Sequence, residues 1–232
     1  MRETAGIFLI IFAYICIAIF ILRIIWRVIL LLRIPENHNR EISPSPKTTF
    51  LTTIRMVRDI VFLTRLFRTN PLLWFGEWFF HVTFVLVFIR HLRYILHYVP
   101  IWVINLEFVG LLAGYVLPIT LIYILIIKLW VEKKKYFSTG NFFLILLLFL
   151  LSVTGIIMKN FIHPDIVDIK IFMTHALAFK FEPAPKSILF IIHFIIAFIF
   201  LAYLPAHIFA APFTLMEARK QEDGLDKIIH EE

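Results

Sequence analysis

Long apolar stretches recur along this chain, and their length constrains its fold more than any other feature. A helix of about 20 apolar residues is long enough to cross the hydrocarbon of a bilayer. Because 61% of the 232 residues are hydrophobic and only 17% are charged, the chain is too apolar for a soluble domain. The alternating pattern of barrel strands is absent. We therefore predict an all-α membrane protein, a five-helix transmembrane bundle in which residues 1–232 form a single membrane domain.

The five predicted spans cover residues 6–32, 72–98, 101–130, 142–158 and 187–213. Lysine and arginine are concentrated between the first and second spans, between the third and fourth, and in the tail after the fifth. Connections rich in these residues are typically cytoplasmic, so we expect the N-terminus outside and the C-terminus in the cytoplasm. Lipid headgroups and this topology account for the net charge of +7, and no nucleic-acid partner is expected.

Residues 48–70 predict one amphipathic helix on the cytoplasmic side, because Arg55, Arg58, Arg65 and Arg68 share a face at helical spacing. One interpretation is an interfacial helix that lies on anionic lipid. The other is a docking surface for a cytoplasmic subunit, and the two are compatible. On the outer side, residues 160–186 predict a short surface helix followed by a kinked entry into the last span.

Four histidines lie well inside predicted spans: His81 and His91 on the second, His193 and His207 on the fifth. His97 lies at the outer end of the second span. Ionisable residues are costly in lipid and usually mark a functional site. Since the two spans run in opposite directions, His91 lies near the depth of His193, and His81 near that of His207. Two helices that each offer imidazoles at two depths can hold two haems, with one axial nitrogen from each helix.

The spacing of these histidines only partly fits that arrangement. Ten residues separate His81 from His91 and fourteen separate His193 from His207, which is about 15 Å and 21 Å along a helix. The longer spacing keeps both ligands on one face, whereas the shorter one requires a rotation, a bulge or differently angled rings. We expect a kink at Pro205 to re-aim His207. The alternative is that all four are packing histidines, hydrogen-bonded between helices.

The five-span layout resembles the respiratory nitrate reductase gamma-subunit superfamily of cytochrome b subunits, as do the segments FFHVTFVLVFIRH and HFIIAFIFLAYLPAH. Relatives in that superfamily serve membrane heterodisulfide reductase, sulfate-reducer complexes and certain nickel–iron hydrogenases. The ten-residue pair on the second span matches position by position, as does the proline twelve residues after His193. The histidine pair on the last span differs from this pattern, because the nitrate reductase subunit spaces that pair four residues wider. The shorter spacing is more similar to the heterodisulfide-reductase type.

The resemblance implies two haem b groups, with His91–His193 and His81–His207 as axial pairs, and a quinone of the menaquinone type as substrate. It also implies a cytoplasmic iron–sulfur subunit, of the heterodisulfide-reductase kind, and further catalytic subunits such as a hydrogenase or a reductase. The expected function is electron transfer between the quinone and that partner, in the plasma membrane of a prokaryote.

Two other hypotheses remain open: a haem-free membrane anchor, and a proton or ion transporter that uses the buried histidines. The absence of an inverted repeat disfavours the transporter. Cys16 is the single cysteine, so this chain offers neither iron–sulfur ligation nor covalent haem attachment.

Several other polar residues lie near the expected haems. Glu107, about 9 Å into the third span, is a candidate for proton exchange with the quinone; its alternative is an ion pair with Arg90 or Arg93. These two arginines are candidates for contacts with haem propionates, and each is equally well explained as snorkelling to headgroups. Glu77 lies one turn before His81 and is a candidate for orienting it. On the inner side, Arg23, Arg27 and Lys128 are the candidates for contacts with the propionates of the other haem.

Overall fold

The computed structural model describes residues 1–33, 50–131 and 139–208, and this part of the chain contains helices and no strand. The helices are α1 (Arg2–Arg33), α2 (Phe50–Phe62), α3 (Thr64–Thr69), α4 (Pro71–Ile95), α5 (Ile101–Asn105), α6 (Glu107–Ile126), α7 (Thr139–Ile157), α8 (Ile166–Leu177), α9 (Ile188–Tyr203) and α10 (Pro205–Ile208). Helices α6 and α7 each continue into a π-helical turn, at Ile127–Val131 and Met158–Ile162.

Four of these helices are long and apolar enough to cross a membrane: α1, α4, and α6 and α7 with their π-helical turns. Helix α9 is equally apolar but has only 16 residues, a rise of about 24 Å against a hydrocarbon thickness of about 30 Å. The prediction of a helical membrane bundle is therefore confirmed. The last residues of the predicted fifth span, 209–213, lie outside the described part of the chain.

Three breaks divide the predicted helices, and the last of them coincides with the kink expected at Pro205. Leu63 adopts a left-handed conformation, so the helix predicted over 48–70 is instead α2 and α3, and residues 48–49 lie outside the described part. A turn at Leu106 separates α5 from α6 within the predicted third span. A turn at Leu204 separates α9 from α10, because Pro205 has no N–H to continue the helical ladder.

The bundle has two ends, named here after the short helices that lie at them. At the α8 end, Arg2 of α1 pairs with Asp168 of α8 and donates to the carbonyl of Ala184, just before α9. At the opposite α2 end, Arg23 of α1 donates to the carbonyl of Ala202, near the end of α9. Helices α1 and α9 therefore run in the same direction through the bundle.

Neighbouring helices pack in the order α4, α6, α7, α9, with α1 against α9 and α8 against α4. Two glycines allow the close approach of α4 and α6. A Cβ atom at Gly76 would lie 2.6 Å from the Tyr123 ring, and one at Gly110 would lie 2.7 Å from Cγ of Arg90. Gly114, by contrast, faces open space. Within the described residues α4 and α9 are not packed along their lengths, although α4 carries His81 and His91 and α9 carries His193.

Candidate functional site

His91 on α4 and His193 on α9 face each other across the space between these helices. Their ring planes are 8° apart and their ring centroids are 6.2 Å apart. Histidine nitrogens bind transition metals at about 2.0 Å, and each lies about 1.1 Å from its ring centre, so two imidazoles on opposite sides of one metal have centroids about 6.2 Å apart. The separation fits one iron ligated from both sides.

The local hydrogen bonds of the α4 histidines leave their outer ring nitrogens available. Nδ1 of His91 lies 2.7 Å from the carbonyl oxygen of Val87, and Nδ1 of His81 lies 2.6 Å from that of Glu77. A carbonyl oxygen only accepts hydrogen bonds, so each Nδ1 carries the proton. The lone pair then lies on Nε2, the nitrogen that would bind a metal.

A threonine orients His193 in the same way, through a hydrogen bond at Nδ1 that leaves Nε2 available. Oγ1 of Thr154, on α7, lies 2.8 Å from Nδ1 of His193. The Thr154 hydroxyl also donates to the carbonyls of Leu150 and Leu151, at 2.8 Å and 3.0 Å. Its proton is thus committed to the helix backbone, and its oxygen accepts from His193. The sequence analysis missed Thr154, because Thr83, Thr120 and Ser152 are also hydroxyl residues within apolar spans.

The His81–His207 pair has a different geometry. His207 lies on α10 within electrostatic reach of His81, Glu77 and Lys128, but the described rings do not show the contact that joins His91 and His193. One turn before His81, Glu77 accepts an ion pair from this level's lysine: Nζ of Lys128 lies 2.8 Å from Oε1 of Glu77, and both side chains are largely buried. Two of the predicted polar residues of this level therefore pair with each other.

An aromatic contact separates the two histidine levels. The rings of Phe84 on α4 and Phe200 on α9 lie 6.0 Å apart in an edge-to-face arrangement. Phe80 lies against Phe84, with ring centroids 5.9 Å apart, and both pack on the cluster of buried residues in the middle of the bundle. This cluster contains Leu117, Leu121, Leu144, Leu147, Leu148 and Phe200. Helices α4 and α9 thus touch at mid-depth, with a histidine level on either side.

Glu107 begins α6 at the α8 end and forms ion pairs with both candidate arginines. Its Oε1 lies 2.9 Å from Nη2 of Arg90 and 3.9 Å from Nη1 of Arg93. The Glu107 side chain is 61% exposed, whereas that of Arg90 is largely buried. Arg93 also lies over the ring of Tyr94, which contacts the edge of His91. Of the two roles expected for Glu107, the structure shows the ion pair with the arginines.

The donor set suits a porphyrin better than a bare metal ion. Among the described residues no group of three or more His, Cys, Asp or Glu side chains could hold a metal. A haem iron needs only two axial ligands from the protein, because the macrocycle supplies the other four. His38 and His230, expected to be solvated, lie outside the described part of the chain.

Two curated proteins are similar to this chain over most of its length, and both are named Hdr-like menaquinol oxidoreductase cytochrome b-like subunit. The relative from Archaeoglobus profundus is 27% identical, with 83% of this chain and 71% of the relative aligned. The relative from Archaeoglobus fulgidus is 24% identical, with 86% and 74% aligned. No family model and no solved structure matches the chain. The predicted resemblance to heterodisulfide-reductase-type cytochrome b subunits is confirmed.

Proposed function

We propose that this chain, a relative of Hdr-like cytochrome b subunits, is the di-haem membrane subunit of a respiratory complex in a prokaryotic plasma membrane. It transfers electrons between a quinone of the menaquinone type and a cytoplasmic iron–sulfur subunit. The observation that carries the proposal is the parallel His91–His193 pair at 6.2 Å. The relatives' names, which include menaquinol oxidoreductase and cytochrome b, support the choice of substrate and cofactor.

His91 and His193 would hold one haem b, and His81 and His207 the other. Bound haem supplies reversible one-electron oxidation and reduction at each level. The chain's own contribution is orientation: the carbonyls of Val87 and Glu77 and the hydroxyl of Thr154 direct Nε2 of three histidines away from their own helices. Ligands fixed in this way bind a metal more tightly, because less freedom is lost on binding.

The arginines beside the His91–His193 level would pair with the propionates of its haem. Arg90 and Arg93 are the proposed partners, since guanidinium groups recognise carboxylates through several hydrogen bonds. Glu107 holds both of them at the end of α6 and so fixes where their charges lie. We retain proton exchange with the quinone as a second role of Glu107, whose exposed carboxylate is accessible at the α8 end.

The topology proposed for this function has five crossings, with the α8 end outside and the α2 end in the cytoplasm. Helices α9 and α10 together form the fifth crossing, which brings His207 and the basic helices α2 and α3 to the same side. The iron–sulfur subunit would dock there, next to the arginines of α2 and α3 or on the lipid beside them. A further catalytic subunit, such as a hydrogenase or reductase, would complete the reaction with a soluble substrate.

Optical spectra of the purified complex, oxidised and then reduced with dithionite, test the proposal. We expect the bands of b-type haem, and we expect His91→Ala and His193→Ala each to remove the same haem. His97→Ala is the matched control, because His97 is an exposed histidine near the α8 end, and it should retain both haems. A colourless wild-type complex would favour the haem-free anchor or the transporter. Loss of different haems in the two variants would refute the pairing.

A further inference from the structure

His175 and Glu182 form a hydrogen-bonded pair at the α8 end, outside the spans. Nδ1 of His175, in the last turn of α8, contacts Oε1 of Glu182 in the following connection. A carboxylate accepts the hydrogen bond, so Nδ1 carries a proton, and in the neutral imidazole the lone pair then lies on Nε2. The two side chains are 39% and 29% exposed. An imidazole oriented by a carboxylate, with an open Nε2, has the arrangement of a general base.

The backbone around this pair is held in an unusual conformation. Phe179 adopts a left-handed conformation with a φ of 58°, which costs about 1–2 kcal/mol for a residue other than glycine. Tyr14 of α1 stabilises it, because its ring stacks on Phe179 at 5.2 Å and its hydroxyl donates to the carbonyl of Ala176. Such strain persists where several contacts fix a segment, and it is frequent at functional sites.

Exposed apolar side chains lie between the two residues along the chain. Leu177, Phe179 and Phe181 are 52%, 79% and 57% exposed. A few polar groups among exposed aromatic side chains suit a ligand with a flat apolar ring and hydroxyl groups. A hydroquinone with an apolar tail is such a ligand, and it reaches this surface from the lipid.

The pair also lies close to the His91–His193 level. Phe172, one turn before His175 on α8, is fully buried, and its ring lies 5.6 Å from that of Phe194, the residue after His193. Tyr94, whose ring lies 6.0 Å from that of His91, packs on the same cluster. Side chains close to His175, His91 and His193 along the chain thus belong to one buried cluster.

We infer that His175, oriented by Glu182, is the catalytic residue that accepts protons from the hydroquinone. This inference rests on the proposed function. Oxidation of one hydroquinone breaks two O–H bonds and leaves a quinone. The two electrons would pass singly to a haem held by His91 and His193, and from there to the iron–sulfur subunit. The two protons pass in turn to Nε2 of His175 and then to water outside. The alternative proton acceptor is Glu107, whose carboxylate is already engaged by two arginines.

The test follows haem reduction by menadiol, a water-soluble naphthohydroquinone, in the purified complex. In His175→Gln we expect the rate to fall about 100-fold, the usual contribution of a general base, with the dithionite-reduced spectrum unchanged. His97→Gln is the matched control and should keep the wild-type rate. Glu182→Gln retains an acceptor for Nδ1 but removes the charge, so its rate should fall by a smaller factor. Added imidazole should restore the rate of His175→Ala, which a purely structural role of His175 would not allow.

The outcomes separate this inference from the proposed function. A wild-type rate in His175→Gln, with intact b-type bands, would overturn the role of His175 and leave the haem proposal standing. Loss of rate in His175→Ala that imidazole does not restore would assign the pair a structural role and overturn the inference. A wild-type complex that lacks b-type bands after dithionite reduction would overturn the proposed function itself.

Discussion

The hydrogen bond from His193 to Thr154 gives the most quantitative prediction. Thr154→Val preserves the shape of this buried side chain but removes the oxygen that accepts from Nδ1, 2.8 Å away. A buried donor without a partner costs about 1–3 kcal/mol, and loss of a group that orients a metal ligand typically lowers metal affinity about 10–100-fold. The two ranges agree, since tenfold corresponds to about 1.4 kcal/mol. We expect Thr154→Val to lower haem affinity at the His91–His193 level by this factor.

Competition for haem with apomyoglobin, followed optically, measures this affinity. Thr154→Ser keeps the hydroxyl and should stay within a few-fold of the wild type. Thr83→Val is the matched control, because Thr83 is also buried in a span and its hydroxyl bonds only to the carbonyls of Phe79 and Phe80. Equal haem affinity in Thr154→Val and Thr83→Val would refute the assignment of Thr154 as the residue that orients His193.

Two further predictions concern the contact of α4 with α6. Gly110→Ala should lower the thermal stability of the complex by about 1–3 kcal/mol, because its Cβ would lie 2.7 Å from Arg90. Gly114→Ala has open space for its Cβ and should keep or slightly raise the melting temperature, since alanine is the better helix former. Equal melting temperatures for the two variants would refute the packing. Arg90→Gln should lower the midpoint potential of the haem at the His91–His193 level, on the order of 50 mV, because a positive charge that favours the reduced iron is lost; a potentiometric titration in which the potential stays constant or rises would contradict this.

The extent of the long helices could be predicted because hydropathy is a local property of the chain. The bounds of α4 and α7 lie within a few residues of the predicted spans. The breaks at Leu63 and Leu106 could not be predicted, because neither residue is a glycine or proline and each helical pattern continues through the break. Pro205 did predict an interruption of the last predicted span, since the physical cause is carried by the residue itself.

The site was predictable to the same degree. An imidazole in lipid is recognisable in sequence, and antiparallel spans are enough to pair His91 with His193. Thr154 and the His175–Glu182 pair depend on contacts between segments that are distant or separated by a turn. A hydroxyl in a helix can always bond to its own backbone, so the sequence offers no sign that Thr154 has a second partner. For Glu107, the sequence correctly offered the arginines as partners but could not choose between the two roles.

The edge-to-face contact of Phe84 and Phe200 has an electrical consequence in the proposed arrangement. It lies between the two histidine levels, so every electron that travels from one level to the other crosses the hydrocarbon centre of the membrane. The separation of His81 from His91, about 15 Å of rise, is about half the hydrocarbon thickness. Moving one charge through half of a 100 mV potential involves about 1.2 kcal/mol of work. Transfer past these two rings would therefore be electrogenic, and its equilibrium would respond to the voltage across the membrane.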